Sequence, residues 1–102
     1  MLELRPNCEL CDRDLPPDSE AARICSYECT FCAACVENVL HDVCPNCGGG
    51  FRPRPIRPRV AWRDGTGLAN QPAGTKRRHV TYSRKEIGEL VERLRETPPG
   101  DR

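Results

Sequence analysis

The chain has few aromatic residues and no long apolar run. Its 102 residues include one Trp, two Tyr and two Phe, and only 37% of them are hydrophobic. No segment approaches the roughly 18 apolar residues of a membrane span, so we expect no contact with a membrane. A chain this short and this polar cannot bury enough apolar surface to fold on a hydrophobic core alone. We therefore expect covalent bonds or metal ions to stabilise it.

A secretory signal is also missing from the first residues. Met1–Asn7 contains no apolar stretch and no small-residue cleavage site. We therefore predict a cytoplasmic protein, in which thiols stay reduced. Disulfide bonds need an oxidising compartment, whereas paired cysteines in a reducing one favour metal binding.

All eight cysteines lie between positions 8 and 47, in four pairs. Three pairs are spaced C-x-x-C and the other is spaced C-x-x-x-C. A C-x-x-C turn places two sulfurs on one side of a tight loop, and two such turns complete a tetrahedron around zinc. The spacing therefore predicts two zinc ions, which iron can replace as an artefact of expression. It leaves open whether the pairs combine sequentially, in a nested order or in an interleaved one. The pairs are Cys8/Cys11, Cys25/Cys29, Cys32/Cys35 and Cys44/Cys47.

Charge is distributed unevenly. Residues 1–50 carry three Arg against nine Asp and Glu, whereas residues 51–102 carry thirteen basic residues against six acidic ones. The two halves therefore have net charges of −6 and +7, and each four-thiolate zinc adds a formal −2 to the first half. We expect the halves to attract each other or to attract different partners.

The composition divides the chain into four parts. Residues 1–51 form the cysteine module. Residues 52–81 begin with alternating Arg and Pro, which favours an extended arm, and continue with Gly and few apolar residues, so we predict a largely disordered linker. Residues 82–97 contain an amphipathic helix, and residues 98–102 form a disordered tail.

The helix has a capping-box sequence at its start. Ser83 is followed three residues later by Glu86, and apolar residues then recur at the spacing of one helical face, from Ile87 to Leu94. A helix of about 13 residues is marginal in water on its own. We therefore expect helix 84–96 to pack on the module or to form a dimer.

The order and spacing of the pairs resemble a RING finger of the all-cysteine kind. The resemblance implies that the first and third pairs hold one zinc and the second and fourth pairs the other. It therefore implies a small α+β fold dominated by metal, a cross-brace with short β-hairpins and one short helix, followed by an extended basic arm and a C-terminal amphipathic helix. The two implied ligand sets are Cys8, Cys11, Cys32 and Cys35, and Cys25, Cys29, Cys44 and Cys47.

A second resemblance is more specific. The opening Met1–Cys8, the segment Asp14–Asp18 and the segment Cys44–Gly49 closely resemble a bacterial family of short cysteine-rich proteins known as a domain of unknown function. That resemblance covers the module and the Arg-Pro arm, and it implies no established activity.

Our first functional hypothesis is a protein-interaction module with structural zinc and no catalysis. A zinc ion with four thiolates has no open position for water or substrate. Leu10, Leu40 and Pro45 are the candidate residues for a shallow apolar patch that binds a protein partner. In a eukaryote the same surface would make the chain a RING-type ubiquitin ligase.

Two further hypotheses concern the arm and the thiols. Basic residues of the arm can neutralise phosphates while Trp62 stacks on a base, which predicts a nucleic-acid-binding accessory protein. The C-x-x-C thiols can alternatively sense oxidants by releasing metal. The residues of the nucleic-acid hypothesis are Arg52, Arg54, Arg57, Arg59, Trp62, Arg63, Lys76, Arg77 and Arg78.

Overall fold

A computed structural model describes the whole chain, Met1–Arg102, and contains three short strands and two α-helices. The strands form one antiparallel sheet in the order β2-β1-β3. This is a small α+β fold, as the sequence predicts. The elements are β1 (Ala22–Ile24), β2 (Thr30–Cys32), α1 (Ala33–Cys35), a π-helical turn (Val36–Leu40), β3 (Arg52–Pro53), α2 (Arg84–Leu94) and a 3-10 turn (Pro99–Asp101).

The hairpin of β1 and β2 brings one cysteine pair together. Ala22 lies opposite Cys32 and Ile24 opposite Thr30. The turn between the strands then holds Cys25 near Cys29, because the amide of Cys25 donates to the carbonyl of Cys29 at 3.2 Å. The chain continues from β2 directly into α1, so of the third cysteine pair Cys32 is the last residue of β2 and Cys35 the last residue of α1.

Sulfur makes up much of the core. Six of the fifteen residues in the main buried cluster are cysteines. Phe31 and Phe51 form an aromatic pair within it, with their rings edge to face and their centroids 5.4 Å apart. So few large apolar side chains cannot offset the entropy of ordering this chain, which agrees with the expectation that metal links contribute to stability.

Helix α2 begins with the predicted capping box. The hydroxyl of Ser83 accepts from the amide of Glu86, and the carboxylate of Glu86 accepts from the amide of Ser83. Ile87 and Val91 are buried in the same cluster as the cysteines, and the helix contacts the π-helical turn. Packing of this apolar face on the module stabilises a helix that is too short to be stable alone.

Residues 54–83 contain no helix or strand, but they follow the module closely. The composition of this segment predicts disorder, whereas the structure shows backbone hydrogen bonds to the module at several points. These contacts join residues far apart in sequence and use backbone groups, so composition does not reveal them. The bonds are Arg54 N to Ala22 O (3.0 Å), Gly74 N to Leu4 O (2.9 Å) and Val80 N to Glu9 O (2.9 Å).

The last residues are also in contact with the module, although the sequence predicts a disordered tail. The guanidinium of Arg102 donates to the carbonyl of Asp42 at 2.7 Å and to that of Gly48 at 3.0 Å. No helix combines the length and the apolar composition that crossing a membrane requires.

Candidate metal centres

The turn that carries the first cysteine pair is closed by two backbone hydrogen bonds. The amide of Asp12 donates to the carbonyl of Cys8 at 2.9 Å, and the amide of Cys8 donates to the carbonyl of Arg13 at 2.8 Å. Asp12 has a φ of 67°, in the left-handed region that short polar residues tolerate. The turn holds the thiols of Cys8 and Cys11 on the same side of the loop.

The turn that carries the fourth pair has the same pattern. The amide of Gly48 donates to the carbonyl of Cys44 at 2.7 Å, and the amide of Cys44 donates to the carbonyl of Gly49 at 2.8 Å. Gly48 has a φ of 80°, so the residue after the second cysteine is left-handed in both turns. Two turns of one design therefore present a C-x-x-C pair each, one to each of two cysteine clusters.

The first cluster contains four thiols, those of Cys8, Cys11, Cys32 and Cys35, whose sulfur atoms all lie within 4.8 Å of one another. The sulfurs of Cys11 and Cys32 are 3.8 Å apart. Sulfurs at the corners of a tetrahedron about 2.3 Å from a zinc ion are about 3.8 Å apart, whereas a disulfide bond measures about 2.05 Å. All eight cysteines are free thiols, so the cluster fits a tetrahedral cation and not a disulfide.

The second cluster contains Cys25, Cys44 and Cys47, again with sulfurs within 4.8 Å of one another. The thiol of Cys29, the fourth predicted ligand, lies near enough to those of Cys44 and Cys25 to be affected by them, but outside the set of mutually close sulfurs. Cys25 and Cys29 are separated by one more residue than the other pairs, in a hairpin turn where Glu28 is left-handed.

Burial and mutual contact shift the pKa values of the thiols in the first cluster. Burial raises the pKa of Cys8 and Cys35, and for Cys35 the adjacent Cys32 raises it further. The pKa of Cys32 is lowered in spite of its burial, because the backbone of Cys35 and the neighbouring thiols favour its thiolate. Several thiolates at this spacing need a cation among them, since each raises the cost of ionising the next.

The second cluster shows the same contrast. The neighbouring thiol of Cys44 lowers the pKa of Cys29 to about 5, with further contributions from Asn46 and Cys25. The thiol of Cys29 in turn raises the pKa of Cys44, and burial raises the pKa of Cys25 to about 11. Protons are thus shared unevenly among these thiols. A divalent cation that displaces them gains thiolate ligands and releases protons.

The carboxylate of Glu9 joins loops that belong to both clusters, a role that the sequence analysis missed. It accepts from the amide of Thr30 at 2.6 Å, from the guanidinium of Arg5 at 2.9 Å and from the amide group of Asn46 at 3.4 Å. Glu9 follows Cys8 of the first cluster. Thr30 follows Cys29 of the second pair, and Asn46 lies between the two cysteines of the fourth pair. Its side chain is only 5% exposed. A single Glu between two cysteines has no periodic signal that distinguishes it from a solvated residue.

The predicted apolar patch is not an exposed surface. Leu40 is 0% exposed and Pro45 is buried, while Leu10 is half-buried against the core. Helix α2 lies beside Pro45 and contacts the π-helical turn that ends at Leu40. The prediction of an exposed patch at Leu40 and Pro45 is wrong because the apolar face of α2 and the apolar residues of the module cover each other.

Four arginines of the nucleic-acid hypothesis are engaged with the module. Arg54 is 4% exposed, and its guanidinium donates to three backbone carbonyls. Arg57 donates to the carbonyls of Leu2 and Gln71. Arg77 forms ion pairs with acidic residues of the module, and Arg78 pairs with Glu3 at 3.3 Å. The attraction between the two halves of the chain is therefore satisfied internally at Arg77 and Arg78, whereas Arg54 and Arg57 are held by backbone carbonyls.

The remaining candidates are exposed, but they do not line one surface. Arg52 lies in a hollow beside Gly50 and Pro99, whereas Arg59 and Trp62 line a different one. Arg63 and Lys76 are also exposed and form no ion pair. The structure thus divides the predicted nucleic-acid site.

Comparison with known proteins agrees with the second resemblance found in the sequence. A family described as "Protein of unknown function (DUF1272)" matches residues 1–57. The chain is also 57% identical over 77 residues to an uncharacterized protein of Rhizobium meliloti (strain 1021), with 76% of this chain and 84% of that protein covered. No solved structure matches the chain. The predicted relation to a cysteine-rich family of unknown function is confirmed.

Proposed function

We propose that this chain, which belongs to the DUF1272 family of proteins of unknown function, is a non-catalytic binding module whose fold is stabilised by two zinc ions. Each ion takes four thiolates, and the module binds a protein partner. The observation that carries this proposal is the first cluster, in which four free thiols lie at the mutual spacing of a tetrahedral zinc site.

Cys29 is the fourth ligand of the second site in this proposal. The neighbouring thiols of Cys44 and Cys25 and the amide group of Asn46 lower its pKa and so favour its thiolate form. A shift of this one sulfur towards Cys47 completes a second four-thiolate set. The identical design of the turns at Cys8 and Cys44 supports the same chemistry at both positions.

The clusters alternate along the chain, which supports a cross-brace of the RING kind. The first and third pairs contribute to one cluster, and the second and fourth pairs to the other. Each zinc would then join segments far apart in sequence, so that loss of either ion would loosen the whole module. The burial of Leu40 and Pro45 next to α2 counts against a ubiquitin-ligase surface at that position.

A closed four-thiolate shell has no position for water or substrate, so the zinc supplies stability and no Lewis-acid chemistry. A reducing cytoplasm is the compartment in which eight free thiols remain available for metal. Both points make binding the function that we propose, in place of catalysis.

Native mass spectrometry of the full chain, with circular dichroism during chelation, tests this proposal. We expect two zinc ions per chain and loss of secondary structure as they are removed. Cys29→Ser should lower zinc occupancy of the second site, whereas Ser26→Ala, in the same turn, should keep both ions. A metal-free folded chain, lighter by the eight protons of four disulfides, would refute the proposal.

A further inference from the structure

A closed loop lies between the Arg-Pro arm that follows the module and the basic residues Lys76, Arg77 and Arg78 that precede α2. Residues 58–71, the Trp62 loop, are joined at their base by a hydrogen bond from Leu68 N to Pro58 O of 2.9 Å. Gly67 has a φ of 84°, and a Cβ there would lie 2.9 Å from the carbonyl oxygen of Val60. Only glycine fits this position, so the loop has a defined shape without a core of its own.

Arg57 anchors the loop to the module. Its guanidinium donates to the carbonyl of Gln71 at 2.6 Å and to that of Leu2 at 2.7 Å. The base of the loop is thereby tied to the N-terminal segment. A surface presented by this loop is held in place before any partner binds, which lowers the entropy cost of binding.

The loop presents apolar side chains to solvent. Trp62 is 73% exposed, Val60 is 52% exposed and the adjacent Ile56 is 49% exposed. These side chains border a hollow of about 520 Å³. Exposed Trp is costly to leave in water and is enriched among residues that dominate binding energy. The apolar lining consists of Pro17, Ile56, Pro58, Val60, Trp62 and Leu68.

Unpaired positive charge borders the same hollow. Arg59 lines it and forms no ion pair with any carboxylate of the chain, and Arg57 there donates only to carbonyls. Asp18 is the acidic residue of the lining. The local charge is therefore positive, in contrast to the acidic module, and it favours a ligand that carries carboxylates.

We propose that the Trp62 loop is the partner-binding surface of this chain, and that it binds a protein segment with an apolar side chain flanked by carboxylates. The apolar side chain enters the hollow beside Trp62, and a carboxylate pairs with Arg59. This inference rests on the proposed function as a binding module, for which it names the surface and the partner chemistry.

A protein segment fits the surface better than a nucleic acid does. Single strands bind along a continuous basic groove with several stacking aromatics. Here Trp62 is the only Trp of the chain, and Arg77 and Arg78 are paired with acidic groups of the module. Asp18 and Asp64 would also repel a phosphate backbone near the loop.

Because Trp62 is the only Trp, its fluorescence reports binding at this loop directly. The zinc-loaded full chain is used to select binders from a random peptide library, and each selected peptide is titrated while Trp62 emission is followed. Trp62→Ala and Arg59→Glu are compared with matched exposed controls, Tyr27→Ala and Arg13→Glu, by calorimetry. Zinc content is measured for every variant, so that loss of the module is distinguished from loss of the surface.

We expect selected peptides to combine an apolar residue with Asp or Glu, and to shift Trp62 emission. Trp62→Ala should weaken them by about 30-fold or more, as for a dominant interface residue, with two zinc ions retained. Three results would overturn the proposal: a library without Trp62-dependent binders, binding of a thymidine oligonucleotide that depends on Trp62, or self-association of the chain that Trp62→Ala abolishes.

Discussion

Replacing Glu9 by Gln tests whether its carboxylate holds the two metal clusters together. Gln keeps the size of the side chain and an oxygen that can accept from the amide of Thr30. It removes the charge that pairs with the guanidinium of Arg5 at 2.9 Å. Breaking a buried ion pair costs about 3–5 kcal/mol. Because Arg5 keeps its contact with Glu3 at 2.6 Å, we expect the lower end, about 3 kcal/mol.

The loss should be measurable as weaker zinc binding, because folding and metal binding are coupled. A change of about 3 kcal/mol corresponds to about 140-fold in the product of the two zinc association constants, or about 12-fold for each ion if shared equally. Competition with a coloured zinc chelator at fixed pH measures both constants. Glu20→Gln, at an exposed carboxylate without an ion pair, is the matched control.

An unchanged product of the constants in Glu9→Gln would refute the reasoning, since it would mean that the two loops hold their geometry without this carboxylate. An equal loss in Glu20→Gln would do the same, because it would assign the effect to net charge and not to the buried contacts of Glu9.

The remaining predictions concern α2, the fourth cysteine pair and pH. Ile87→Ala removes a buried side chain and should lower the free energy of unfolding by about 2–3 kcal/mol, whereas exposed Glu89→Ala should change it by less than about 0.5 kcal/mol, in denaturant titrations of the zinc-loaded chain. Gly48→Ala, at a φ of 80°, should destabilise by about 1–2 kcal/mol. Gly88→Ala, with open space around it inside α2, should instead stabilise by up to about 1 kcal/mol. Burial raises the pKa of Cys25 to about 11, so zinc must displace its proton. Zinc affinity should therefore fall on acidification, by about tenfold per pH unit for each proton displaced, and an affinity independent of pH would contradict this.

Local signals in the sequence were sufficient for several parts of the structure. Ser83 and Glu86 are three residues apart, so the capping box depends on neighbouring residues alone and is confirmed. The membership of the first cluster came from the resemblance to a known order of cysteine pairs, and the four sulfurs predicted for it do lie together. The position of Cys29 depends on the conformation of a hairpin turn, which spacing does not specify.

Contacts between distant segments were not predictable in the same way. Arg54 looks like a residue of a solvated basic arm, but it is buried and donates to carbonyls of Arg5, Leu15 and Pro16. Burial lowers its pKa, and no carboxylate compensates for it. Backbone carbonyls are present in every sequence, so the sequence contains no sign of which carbonyls surround an arginine. The prediction that Leu40 lies on an exposed apolar patch is wrong for a related reason, since its burial depends on where α2 packs.

The central claim is that each cluster holds one zinc ion with four sulfur ligands. X-ray absorption at the zinc edge, on protein of measured metal content, tests this directly. We predict two zinc ions per chain and an average shell of four sulfurs at about 2.3 Å. A single zinc per chain, or an average shell in which oxygen or nitrogen replaces a sulfur, would contradict the claim, and the mixed shell would show that Cys29 does not complete the second site.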